Sequence, residues 1–278
     1  MYDKHFVNGT LDFAVSTDES PDQNDFWLHI HDVYELHYFV EGDAEFVIEG
    51  QIYDLTPGTI MIMRPGELHR LVIRSPRRYR RMVFQFRMPG EGRYDRLLRP
   101  FNERSLGRGN KYDVSRIGST IASDIFLSLN EIDFSSDSAQ TELESRFLSI
   151  LSYILNAFDR EPVFEHIPSV MDEIVGYIGQ HISDDLSLEK LENVFSCSKA
   201  QLNSYFREYT GLSTHRYITV KRLHLARTFL LRKEKPAVAC RKSGFNSYSS
   251  FFKAYTGYFG RTPLNDDFIG DGLIDSDT

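Results

Sequence analysis

The chain holds little that would brace it apart from a packed core. It has two cysteines in 278 residues, Cys197 and Cys240, too few for a disulfide framework or a cysteine-ligated structural zinc. Nothing marks either thiol as reactive, so both are expected to be structural. No apolar run approaches the roughly 20 residues that a membrane helix needs. No basic-then-apolar leader opens the chain. These absences make a soluble, cytoplasmic protein the expectation, and the length suffices for two separate cores.

Acidic charge is scarce in one place only. Between Leu186 and Pro263 there are 14 Lys and Arg against 4 Asp and Glu, whereas the remainder holds 18 against 36. A surplus confined to one segment fits a polyanion partner for that segment, or a solvated basic face.

What is present changes character along the chain. From Trp27 to Met88 the text alternates and breaks at turns. YELHYFV runs to Gly42-Asp43, AEFVIEG and QIYDL follow, and TIMIM lies between Thr56-Pro57-Gly58 and Arg64-Pro65-Gly66. Short, evenly spaced strands predict an antiparallel sandwich or barrel. In one continuous strand His29, His31, Glu35 and His37 would share a face. This stretch resembles the cupin barrel. His29, His31, Glu35 and Gly42 meet its first motif, and Pro65, Gly66 and His69 its second, although Ile73 stands where metal-binding cupins often keep Asn.

Beyond Pro100 the spacing turns helical. A helix is expected over Val114–Asn130, then a polar break at Ser135–Ser138 that caps a second helix over TELESRFLSILSYILNAF. Leu143, Phe147, Ile150, Leu151, Ile154 and Phe158 form one stripe on it. That stripe serves equally as a dimer seam or as a face packed on the chain's own barrel. Asp159 to Pro162 ends the helix and opens a linker.

In the basic segment a helix starts near Leu188 and breaks near Ser196. Ser198 then caps a second helix, held by Leu202 and Phe206 and stopped at Gly211. After a long helix, a second unit carries Gly244-Phe245, Phe251, Tyr255, Gly260 and Pro263 at matching offsets. FREYTG (206–211) and FKAYTG (252–257) offer a rival register three residues away. Two helix-turn-helix units joined by a helix resemble the AraC family of bacterial transcription regulators, on Leu188, Leu191, Ser198, Leu202, Phe206, Gly211, Tyr217, Ile218, Arg222, Leu223, Ala226, Leu230, Gly244, Phe245, Gly260 and Pro263. Glu192 and Ser196 depart from the usual Ala and Gly, and KPAVACRKSGF is an irregular lead helix.

The resemblance implies an α+β multidomain chain: an N-terminal antiparallel β-barrel of cupin type, a helical dimerisation segment, and a C-terminal all-α domain with two helix-turn-helix units. The expected spans are 1–110, 111–165 and 166–265, with an acidic, disordered tail over 266–278. It implies a DNA-binding transcriptional regulator, dimeric and not an enzyme, controlled by a small effector such as a sugar. Lys199, Ala200, Asn203, Ser204 and Arg207 of the first unit, and Tyr248, Ser249 and Lys253 of the second, would meet double-stranded DNA. Asn suits adenine and Ala a thymine methyl, while Lys199, Arg207, Arg241, Lys242 and Arg261 suit phosphates. His31, Glu35, His37 and His69 would line the effector pocket beside Trp27 and Tyr38, with no cofactor. The alternatives are a metal-dependent cupin enzyme, with a divalent metal on His29, His31, Glu35 and His69, or a regulator whose DNA heads have become a partner-binding module.

Overall fold

A computed structural model describes residues 29–88 (without 32 and 76), 92, 94–114, 124–133 (without 127), 135–160 and 170–265, and the backbone of 2–7 and 12–19. Trp27, most of the expected 114–130 helix and the acidic tail lie outside the described residues.

The first half is two antiparallel sheets. One has six strands in the order β1 (Tyr2–Val7), β2 (Asp12–Glu19), β8 (Arg80–Arg87), β3 (Tyr34–Glu41), β6 (Thr59–Met63) and β9 (Lys111–Asp113). The other has the order β5 (Gln51–Asp54), β4 (Ala44–Ile48) and β7 (His69–Ile73). Phe39, Met61 and Met63 of the large sheet meet Phe46, Ile48 and Leu71 of the small one in a common core. The large sheet is apolar on its other face too, through Leu36, Tyr38, Ile60, Ile62, Phe84 and Phe86. TIMIM is therefore buried at every position, as an unbroken apolar run requires.

That second face is covered by helix α2 (Ala139–Arg160), which follows a short helix α1 (Arg99–Asn102). Leu143, Phe147, Ile150, Leu151 and Ile154 all lie in the sheet's core, with Phe147 stacked 5.2 Å from Phe84. The stripe is thus spent within its own chain. Aspartate at Ile150 and Ile154 would open the barrel, not part a dimer, because each fully buried side chain contributes roughly 1.5–3 kcal/mol.

Two further expectations change. Strands β1 and β2 extend the large sheet ahead of Trp27, where no strand was expected. Strand β9 pairs with β6, so the sheet runs past residue 110, and Val114 continues that edge by donating its N–H to the Gly58 carbonyl instead of opening a helix. Residues 124–126 and 128 are helical, as expected there, and Leu129–Glu131 follows as a single 3₁₀ turn.

The second half is all helix: α3 (Val170–Gln180), α4 (Leu188–Phe195), α5 (Lys199–Thr210), α6 (Thr214–Leu231), α7 (Pro236–Lys242) and α8 (Tyr248–Phe259). Ser198 and Ser247 cap α5 and α8, and Gly211 and Gly260 end them in the left-handed region. The two helices repeat at this fixed offset, which selects the Gly244/Pro263 register over the FKAYTG one. The irregular lead helix α7 forms, with Pro236 at its first turn. Ser196 takes the left-handed turn conformation at φ 52°, a strain of order 1 kcal/mol for a residue with a Cβ.

Candidate functional site: a histidine cluster at the barrel mouth and two exposed reading helices

His29 and His31 do not belong to strand β3. The chain breaks before Tyr34, and His29 instead bridges His69 through two backbone hydrogen bonds of 2.9 Å. This bridge unites the two motifs. The rings of His29 and His69 lie 4.3 Å apart and those of His31 and His69 4.8 Å apart. Ligand atoms of His29, His31 and His69 all fall within 4.8 Å of one another. Glu35 lies beside them, with Oε2 2.8 Å from His31 Nε2 and Oε1 3.9 Å from His69 Nε2. Gln85 donates to Oε2 as well.

The electrostatics follow from burial. Burial alone would raise the Glu35 carboxyl, but the hydrogen bond and charge of His31 beside it outweigh burial and hold the group well below its ordinary 4.5. Burial holds His69 well below its ordinary 6.5, so its ring is neutral. His69 Nδ1 donates to the Glu67 carbonyl at 2.8 Å, which leaves a lone pair on Nε2.

The other effector candidates separate from this cluster. His37 shares Glu35's face but sits deeper, 3.1 Å from the Tyr79 hydroxyl and packed on Phe46. Burial, with Arg81 nearby, lowers it to about 3. Tyr38 points to the opposite face and stacks on Phe126 at 3.9 Å. It therefore cannot line the pocket, because adjacent strand residues face opposite ways. A sugar site built on hydrogen bonds and an aromatic platform loses Tyr38 as that platform.

Two acids that gave no sequence signal organise the barrel mouth. Glu67 is fully buried and bidentate to Arg104, at 2.5 and 2.6 Å. It also accepts from the backbone of Arg64 and Gly107 and from Asn110, pinning the 104–110 loop. Glu49 accepts from Leu68 N–H within the barrel, and from Tyr217 and Lys221 of α6. Alternating strands do not show that an acid at a hairpin tip turns inward toward a helix about 170 residues away.

The second half docks at this mouth. Arg108 grips Asp172 of α3 with two nitrogens, and Ile30 and Leu68 join the apolar cluster of Met171, Ile174 and Val175. A Cβ on Gly50 would lie 2.7 Å from Tyr209 of α5, so only glycine allows that approach. Between the halves lies a cavity of about 920 Å³, lined by His31, Arg64 and Leu106 from one side and Tyr177, Lys221 and His224 from the other.

Away from that cavity, Lys199, Ala200, Ser204 and Arg207 are exposed on α5, and Tyr248, Ser249 and Lys253 on α8. Asn203 differs. Its Oδ1 accepts from Thr214 N–H, which ties α6 to α5, and its Nδ2 donates to the Lys199 carbonyl within α5, so each end of the amide already holds one bond inside the chain. These bonds fix the orientation of the amide, so a bidentate grip on adenine would have to use its remaining hydrogen and lone pair in that orientation. Phe252, in the equivalent place on α8, is instead exposed. Cys240 is buried and Cys197 half-buried, consistent with packing roles.

Comparison with known proteins separates along the same line. The sequence model for the AraC-like ligand binding domain matches residues 15–95, and one for a helix-turn-helix domain matches 191–265. LumQ of Photobacterium leiognathi, named as a transcriptional regulator, is 31% identical over 116 residues. That match covers 41% of this chain and 46% of LumQ, less than half the length of that relative. The transcriptional activator RhaS of Escherichia coli is 23% identical over 258 residues, 86% of this chain and 88% of RhaS. Among solved structures, unsaturated fatty acid bound ToxT from Vibrio cholerae is 14% identical, with 96% of this chain and 98% of that chain covered at a TM-score of 0.41.

Proposed function

Because the chain belongs to the AraC family of transcriptional regulators, we propose that it reads double-stranded DNA with α5 and α8, and that a small ligand at the barrel mouth sets how the two halves dock. The observation that carries this is the repeated pair of capped helices, each presenting an exposed polar or basic face. Arg207 and Lys253 are placed for phosphates, while Ala200, Ser204, Tyr248 and Ser249 face base edges. Only a ligand that interacts differently with the docked and undocked states can shift that equilibrium, and His31 lies where both halves meet.

We read the chain as a cytoplasmic regulator and not an enzyme, since a cupin enzyme leaves the DNA-reading half without a task. Among the described residues no helix is long and apolar enough to cross a membrane. Homodimerisation on paired half-sites would use a surface other than the α2 stripe, which the barrel core occupies.

Selection of genomic DNA fragments by the purified full chain tests this reading. The expected result is one enriched motif, protected as two contacts about one helical turn apart on the duplex. Recovery without an enriched motif would overturn it.

A further inference from the structure

The two reading helices differ at one position in a way that their shared fold does not require. The offset that carries Ser198 to Ser247 and Gly211 to Gly260 also carries Asn203 to Phe252 and Thr214 to Pro263. In the first unit the Thr214 N–H donates to Asn203 Oδ1, which holds that side chain against its own domain. In the second unit proline stands in the place of Thr214, and proline has no N–H to donate. The tether has no donor there, and position 252 is free to face outward.

Phe252 fills that position and is exposed. It lies one turn beyond Tyr248, which is exposed as well, and the two rings pack 6.3 Å apart. Tyr248 in turn rests 5.9 Å from the buried Phe251, so the pair is anchored to the helix core. Exposed Ser249 and Lys253 run alongside it.

Single exposed apolar side chains are ordinary on a protein surface. Two in contact, within a segment of 14 Lys and Arg against 4 Asp and Glu, suit a partner that is anionic at its edges and apolar at points between them. The major groove of DNA is such a surface. Phosphates border it, and the C5-methyl of thymine is the apolar group that base edges present there. A phenyl ring carries no hydrogen-bond donor or acceptor, so the methyl is the feature it can tell apart.

We propose that Phe252, steadied by Tyr248, determines specificity by packing on a thymine methyl in the part of the site that α8 reads. The first unit has no counterpart, because Asn203 at the matching place is held by Thr214. This rests on reading α8 as a DNA-binding helix.

The test uses the full chain and the duplex recovered by selection from genomic fragments. Each thymine is replaced in turn by deoxyuridine, which removes the methyl and leaves the hydrogen-bonding edge intact. One such replacement should weaken wild-type binding about fourfold, the effect of returning one buried methyl to water. Phe252→Ala should weaken binding to the unmodified duplex by at least that factor and be indifferent to that replacement. Phe252→Leu, which keeps an apolar side chain, should still respond to it. Asn203→Ala, the matching change in the first unit, should respond to every replacement as the wild type does. The position is exposed, so the melting temperatures should agree; if Phe252→Ala melts lower, the response of Phe252→Leu decides. A selected site with no thymine whose methyl the wild type senses would overturn the proposal, and so would a response that survives in Phe252→Ala. Either result, with salt-dependent binding of the selected duplex retained, leaves the DNA reading standing. Absence of an enriched motif would remove that reading and this proposal with it.

Discussion

The two halves handle charge in opposite ways. The barrel takes ionisable groups inside: Glu35, Glu49, Glu67, His37 and His69 are all buried, each beside a partner or another titratable ring. The reading half keeps most of its charge on exposed faces over apolar cores such as Leu202, Phe206, Phe251 and Tyr255. Chemistry in the first half is therefore bound up with stability, whereas in the second it can change with little cost to the fold.

The largest test of that contrast is Glu67→Gln. It leaves the Arg104 guanidinium buried and uncompensated, and should cost about 3–5 kcal/mol of barrel stability in denaturant unfolding. Reversing an exposed charge such as Arg207 should stay within about 0.5 kcal/mol. Equal costs would erase the distinction.

Next comes the contact where the halves meet. Glu49→Gln removes the charge facing Lys221 and weakens the bond to Tyr217. A loss of about 2–3 kcal/mol is expected, together with separate melting of the two halves by calorimetry. A single unshifted transition would mean that docking rests on the apolar cluster alone.

Acid should act on the barrel through His37. Its folded pKa of about 3 lies below the ordinary 6.5. Below pH 6.5 the unfolded chain takes up a proton that the folded chain refuses, so stability falls as pH drops toward 3. The slope is about 1.4 kcal/mol per pH unit for each such group. His37→Gln should lower the measured slope by one proton, and an unchanged slope would show that His37 is protonated in the fold.

The smallest effect concerns Asn203. With both amide ends bonded inside the chain, Asn203→Ala should cost about 1 kcal/mol of stability and leave base preference at the bound site unaltered. A changed preference at one base pair would restore the contact that its place on α5 suggests.

Local features were readable wherever local chemistry decides them. Ser198, Gly211 and Gly260 mark helix ends because caps and left-handed turns act within a few residues. The alternation over 34–48 gave strands β3 and β4, and the His29/His31/Glu35 and His69 motifs gave the cluster. What stayed hidden depends on partners distant in sequence. The α2 stripe fits two tasks until the sheet face opposite it is known. Nothing near Glu49 announces Tyr217, and nothing near Asn203 announces that Thr214 takes its carbonyl oxygen.

The proposed DNA contacts lie on both α5 and α8. They are tested most directly by the salt dependence of affinity for the selected duplex, measured by fluorescence anisotropy for the wild type, Arg207→Glu and Lys253→Glu. Each reversal should weaken binding to all sequences alike and reduce the slope of log affinity against log salt by about 1. A slope that neither substitution changes would contradict the account.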